Sequence, residues 1–296
     1  MEEESTSPSP PRIPFGALPM GTVIAGRFTL ESVAGRGGMG FVYRAQDAHT
    51  GQPVALKLLH TFTAPEAFHR FNRESVLLTE LSHPAIVSHV EHGVSEGGEP
   101  FLAMEWLEGM ELSHRLALQP LSLSESLALV HRIAEGLAQA HRRGIVHRDI
   151  KPSNLFLRGG RPEDVVLLDF GLARTVEPSL VAVTGSETVV GTPGYMAPEQ
   201  ASSQPDLLPS ADIFSLGCVL YQCLTGKPPF AAPHFAAVLA KILFAEPAPL
   251  RTLRAELPFS LQRLVDRMLV KDPRKRLPDA DSLLEALAAL ETGPER

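Results

Sequence analysis

The octapeptide His147-Arg148-Asp149-Ile150-Lys151-Pro152-Ser153-Asn154 constrains this 296-residue chain more than any other feature, because it sets a carboxylate, an ammonium and an amide at short fixed offsets. Phosphoryl transfer needs such a set. A carboxylate orients a hydroxyl nucleophile and accepts its proton, a lysine neutralises charge building on the transferred group, and an asparagine oxygen ligates Mg²⁺. One short loop can therefore hold nucleophile, phosphate and metal together.

Upstream, Gly35-Arg36-Gly37-Gly38-Met39-Gly40-Phe41-Val42 fits the pattern G-x-G-x-x-G-x-V. Its glycines at 35, 37 and 40 let the backbone close over phosphates without side-chain collision. A dinucleotide-binding version would open a helix. Here Phe41-Val42-Tyr43-Arg44-Ala45 alternates like a strand, and a turn at Thr50-Gly51-Gln52-Pro53 leads into Val54-Ala55-Leu56-Lys57-Leu58-Leu59. The spacing predicts a glycine-rich hairpin feeding a second apolar strand. Lys57 stands inside that apolar run, which predicts a buried charge held for a purpose such as pairing with α- and β-phosphates. Next, Thr63-Ala64-Pro65-Glu66 has capping-box spacing, and Phe68, Phe71, Leu77, Leu78 and Leu81 recur at helical intervals around Glu74.

Downstream, the apolar strand Val165-Val166-Leu167-Leu168 delivers Asp169-Phe170-Gly171, which puts a carboxylate at a strand end where Mg²⁺ could bridge it to phosphates. Gly191-Thr192-Pro193-Gly194-Tyr195-Met196-Ala197-Pro198-Glu199 follows. In this order the motifs are specific, and from about residue 28 to 290 the chain resembles the Hanks-type (eukaryotic-like) serine/threonine protein kinases, bacterial members most of all. Ala211-Asp212-Ile213-Phe214-Ser215-Leu216-Gly217 resembles the start of that family's buried helix F. Arg276 matches the arginine that pairs with the glutamate of the APE motif, here Glu199.

The resemblance implies an α+β, bilobal fold: a small β-rich amino-terminal lobe with one regulatory helix over about residues 28–104, a hinge at 105–109, and a larger, mainly helical lobe over 110–290. It implies transfer of the γ-phosphoryl group of ATP to serine or threonine hydroxyls of proteins. Asp149 would orient and deprotonate the hydroxyl, Lys151 would stabilise the transferring group, and Asn154 and Asp169 would hold Mg²⁺ or Mn²⁺. Lys57, paired with Glu74, would position the nucleotide. Ala34, Gly35, Arg36, Gly37, Gly38, Met39, Gly40 and Val42 would cover the phosphates. Ala55 would roof the adenine, Met104 would be the gatekeeper, and Glu105 and Leu107 would read the adenine edge. Two departures bear on nucleotide affinity: Ala34 replaces the usual larger aliphatic, and Ser113-His114 stand where an acidic residue near the ribose is usual.

Lys151 after HRD and Thr192 before APE resemble Ser/Thr rather than tyrosine kinases. A pseudokinase scaffold is the alternative, but such proteins usually lack one of Lys57, Asp149 or Asp169. A small-molecule kinase is disfavoured by Ala197-Pro198-Glu199 and the helix after it. Arg148 and Arg174 are expected to await an anion, with Thr184, Ser186 and Thr188 as candidate autophosphorylation sites. A kinase homodimer for trans-autophosphorylation joins protein substrates among the implied partners.

Composition bounds the rest. With 44% hydrophobic and 21% charged residues the chain can bury a sizeable core. A formal net charge of −7 argues against a nucleic-acid footprint. The two cysteines, Cys218 and Cys223, lie in the apolar stretch after Asp212 without metal-ligand spacing, so buried thiols in a reducing compartment are expected. Residues 1–20 are acidic, polar and proline-rich and read as a flexible tail, and 291–296 as a carboxy-terminal tail. No secretory signal pattern or uninterrupted apolar span of about 18 residues occurs, so a cytoplasmic protein is expected.

Overall fold

The computed structural model describes residues 16–37, 40–59, 71, 75, 76, 79–169 and 193–292. The described residues divide into two compact units, one drawn from within residues 1–62 and 91–106, the other from within residues 63–90 and 107–296. The first is strand-rich and the second mainly helical, as the α+β reading requires.

The first unit is built on β1 (Val23–Ile24), β2 (Phe28–Gly37), β3 (Gly40–Asp47), β4 (Pro53–Leu59), β5 (His89–Val94) and β6 (Pro100–Glu105), in the order β1-β2-β3-β4-β6-β5. Side chains alternate across a strand, so one face of each buries its apolar residues. Phe28, Leu30, Tyr43, Ala45, Val54, Leu56, Leu58, Phe101 and Ala103 form the resulting core. Phe28 meets Phe101 edge-on, with ring centroids 5.8 Å apart. At its rim Arg27 forms a two-pronged pair with the buried Asp47, Nε to Oδ1 at 2.6 Å and Nη2 to Oδ2 at 2.7 Å.

The same alternation corrects one expectation. Lys57 is half-buried rather than buried, because Val54, Leu56 and Leu58 take the core face of β4 and leave Ala55 and Lys57 on the other. An apolar run does not by itself tell which residues a pleat turns inward.

The second unit has a small antiparallel sheet, β7 (Gly109–Glu111), β8 (Leu155–Arg158) and β9 (Val165–Leu167), in sequence order. Its helices are α1 (Leu112–Leu118), α2 (Leu123–His141), α3 (Pro198–Ala201), α4 (Ser210–Thr225), α5 (Phe235–Phe244), α6 (Leu250–Leu253), α7 (Phe259–Met268) and α8 (Ala280–Thr292). Helix α2 starts at a capping box: Ser122 Oγ accepts from Glu125 N, and the Glu125 carboxylate accepts from Ser122 N. Its stripe of Val130, Ile133, Leu137 and Ala140 is fully buried. Helix α4 is buried on nearly all sides, in keeping with its largely apolar sequence, and it ends at Gly226 with φ +79°.

Cys218 and Cys223 are free, buried thiols on α4. Burial pushes the Cys223 thiol up to about 12 and raises Cys218 as well, so neither is poised to ionise. Of the helix expected around Glu74, the described residues Phe71, Ser75, Val76 and Thr79 are helical and Phe71 is buried; Glu74 itself lies outside them. No helix among the described residues is long and apolar enough to cross a membrane.

Candidate active site

A buried carboxylate shapes the loop between α2 and β8. Asp212, in the first turn of α4, is fully buried. Its Oδ2 accepts from His147 N at 2.8 Å and its Oδ1 from Arg148 N at 2.8 Å. Its third donor is His141, the last residue of α2, whose Nε2 lies 3.0 Å from Oδ2. These bonds hold Arg148 at φ +68°, a conformation sparsely populated by non-glycine residues. The next peptide is fixed too, because Asp149 N donates to His147 Nδ1 at 3.2 Å.

The three chemistry-bearing groups of the octapeptide converge on one another. Lys151 Nζ lies 2.8 Å from Asp149 Oδ2. Asn154 Nδ2 donates to the same oxygen at 2.9 Å and to the Asp149 carbonyl at 2.8 Å. Among the described residues both side-chain bonds to Asp149 fall on Oδ2. The Asn154 amide spends its N–H groups on Asp149, so its oxygen is the atom left for a cation. The donor set therefore suits a hard divalent ion.

Asp169 is tied to this loop through the residue before it. Leu168 N donates to the Asn154 carbonyl at 2.8 Å, and His147 Nε2 lies 2.8 Å from the Leu168 carbonyl. Asp169 is half-buried and, like Arg148, left-handed, with φ +49°. Both strained residues of the site thus sit where hydrogen bonds to neighbouring elements over-determine the backbone.

In the strand-rich unit the register aligns the expected nucleotide residues. Gly35 pairs with Val42, Val42 with Lys57, Lys57 with Leu102, and Ala55 with Met104. Gly40, at φ +150°, admits no side chain, since a Cβ there would come within 1.9 Å of the Leu58 carbonyl oxygen. At Gly35 a Cβ would meet only the Val42 Cβ at 3.9 Å, so its missing side chain is not required by packing and leaves open space beside the hairpin. Ala34 is exposed, and the exposed Arg36 guanidinium lies 5.5 Å from the Phe41 ring centroid. Met104 is buried at the end of β6, while Glu105 and Leu107 are half-buried. Glu111, missed in the sequence reading, supplies an acidic group two residues before Ser113 and accepts from Ser113 Oγ at 2.7 Å.

Glu199 and Arg276 form the expected pair, buried and two-pronged, Nη1 to Oε1 at 2.7 Å and Nη2 to Oε2 at 3.1 Å. Arg148 Nε is buried without a hydrogen-bond partner among the described residues. Gly38, Met39, Glu74, Phe170, Arg174, Thr184, Ser186, Thr188 and Thr192 lie outside the described residues.

Comparison with known proteins adds three kinds of likeness. A family profile described as "Protein kinase domain" matches residues 28–287. The serine/threonine-protein kinase pkn2 of Myxococcus xanthus is 40% identical over 278 residues, 92% of this chain and 33% of that protein. PknA of Mycobacterium tuberculosis is 36% identical over 281 residues, 93% of this chain and 63% of PknA. The chain thus spans a third to just under two thirds of the length of these curated relatives. Among solved structures, the Mycobacterium tuberculosis PknI kinase domain superposes with a TM-score of 0.72 at 27% identity, covering 92% of this chain and 99% of that one. Rad53 in complex with AMP-PNP gives a TM-score of 0.71 at 25% identity, covering 88% of this chain and 64% of the Rad53 chain.

Proposed function

This chain belongs to the protein kinase domain family, and we propose that it transfers the γ-phosphoryl group of ATP to serine or threonine hydroxyls of protein substrates. The carrying observation is the convergence of Lys151 and Asn154 on one oxygen of Asp149, which leaves the other oxygen for a hydroxyl proton. The serine/threonine assignment of the curated relatives supports the choice of acceptor.

In this reading Asp149 Oδ1 orients the substrate hydroxyl and accepts its proton as the O–P bond forms. Lys151 lies one ion pair away and neutralises charge on the transferring group. Asn154 and Asp169 would hold a divalent cation, Mg²⁺ or Mn²⁺, which would offset phosphate charge. Lys57 and Glu74 position the α- and β-phosphates, and residues 34–40 with Val42 cover them. Ala55, Met104, Glu105 and Leu107 receive the adenine, and Glu111 offers a carboxylate to the ribose hydroxyls. The AMP-PNP bound by Rad53 supports nucleotide as the ligand.

The buried Arg148 Nε, unpartnered among the described residues, supports control by an anion, for which phosphate on Thr184, Ser186 or Thr188 is the proposed source, added in trans by a second kinase copy. A cytoplasmic setting completes the reading.

The test is incubation of purified protein with Mg²⁺, γ-labelled ATP and a generic protein substrate, followed by phosphoamino-acid analysis. Labelled phosphoserine or phosphothreonine is expected, and mass spectrometry of the same sample should find phosphate within residues 184–188. Phosphotyrosine alone, or no label, overturns the activity.

A further inference from the structure

Gln200 lies outside the motifs that carry the proposed chemistry, yet its side chain reaches their centre. Its Nε2 donates to the Arg148 carbonyl at 2.8 Å. Its Oε1 accepts from Ala197 N at 3.0 Å, the last backbone donor before Pro198 opens α3. Only an amide supplies both roles in one side chain of this length. The Arg148 carbonyl belongs to the same peptide plane as Asp149 N, which is held from the other side by His147 Nδ1 at 3.2 Å. Arg148 N, one peptide earlier, is held by Asp212 Oδ1 at 2.8 Å.

The left-handed Arg148 is therefore gripped at its N–H by α4 and at its carbonyl by α3. Asp149 projects from the far end of the gripped plane. Rotation of that plane would carry the carboxylate off its substrate, because a misplacement of about 1 Å can cost a hundredfold in rate. Helix α3 is itself anchored through Glu199 to the buried Arg276. It directly follows the stretch 193–197, so the segment leading into α3 and the catalytic carboxylate share one rigid connection.

We propose that Gln200 is a positioning residue: by clamping the Arg148–Asp149 peptide it aims Asp149 and couples the segment ahead of α3 to the catalytic loop. This rests on reading Asp149 as the group that orients the hydroxyl.

Two variants separate the clamp from mere packing. Gln200→Met keeps the length and loses both polar roles. Gln200→Glu keeps the acceptor for Ala197 N but faces a carbonyl with a second acceptor, except when the carboxyl is protonated and can donate. With ATP and a generic protein substrate, both variants should lose roughly tenfold or more in kcat, with KM for ATP changed less than about twofold. The activity of Gln200→Glu relative to wild type should rise as pH falls from 8 to 6, while that of Gln200→Met stays flat. Hydrogen exchange of the peptide spanning residues 145–155 should be about tenfold faster in Gln200→Met than in wild type.

Wild-type kcat in Gln200→Glu, identical pH profiles in the two variants, or unchanged exchange of the loop would each overturn the clamp. An inactive wild-type protein would instead remove the phosphoryl-transfer reading, and the exchange measurement would still decide whether Gln200 holds the loop.

Discussion

His141 Nε2 lies 3.0 Å from Oδ2 of the buried Asp212, while His141 Nδ1 accepts from Ala280 N at 3.2 Å. Because Nδ1 is an acceptor, the ring proton resides on Nε2 and is donated to the carboxylate. The end of α2, the start of α4 and the start of α8 thus meet at one imidazole, one step behind the catalytic loop. His141→Leu is expected to cost about 1–3 kcal/mol by removing one of the three donors to Asp212 and leaving Ala280 N without its acceptor. Asp212→Ala is expected to cost more, because three donors lose their acceptor, and to lower kcat by freeing His147 and Arg148. Urea denaturation with parallel kinetics checks both, and an Asp212→Ala protein of wild-type kcat would show that this carboxylate does not set the loop.

Asp149→Asn should leave ATP binding nearly intact and lower turnover by a factor on the order of a hundred or more, since it removes the proposed proton acceptor without touching the glycine-rich hairpin. Lys57→Met should cripple transfer through lost phosphate positioning. Equilibrium ATP binding and single-turnover kinetics separate the two effects. Retained turnover in the first variant would mean the base is elsewhere.

The Glu199–Arg276 pair has side-chain exposures of 4% and 0%, and Arg276 also donates to the carbonyls of Ser210, Val270 and Lys271. Removing one partner leaves a buried charge unmatched, so Arg276→Ala should cost about 3–5 kcal/mol. Replacing both with apolar residues of similar volume should cost less than removing either alone. A double-mutant cycle in urea measures the coupling, and additive losses would rule it out.

Arg27 holds the Asp47 carboxyl well below the usual carboxylate range by direct hydrogen bonding, with burial opposing and His49 N and Thr50 Oγ1 assisting. A native carboxyl that binds its proton less avidly than the unfolded one adds stability above the unfolded value of about 3.9, and loses it as pH falls further. Arg27→Met should therefore destabilise the protein by about 1–2 kcal/mol at pH 7. The gap to wild type should narrow below about pH 4. Urea midpoints across pH 3 to 7 test this, and a pH-independent gap would deny the pair its role.

The candidate site could be named from sequence because phosphoryl transfer ties particular residue types to short fixed offsets, and short offsets survive any arrangement of the rest. The octapeptide, the glycine run and the capping box at Ser122 are local in this sense, and the structure shows Lys151 and Asn154 turned onto Asp149 as their spacing suggests. The alternation in β4 was equally present in sequence, but an apolar run conceals which face a pleat buries, and Lys57 came out half-buried. Tertiary structure alone decided what holds the loop: Asp212 lies 65 and 64 residues from the N–H groups it accepts, and Gln200 lies 52 from the carbonyl it clamps. Residues so far apart become partners only when packing of α2, α3 and α4 buries their polar groups together, where each must find a partner. No spacing rule records that requirement, because it arises from the shared interior and not from the chain between.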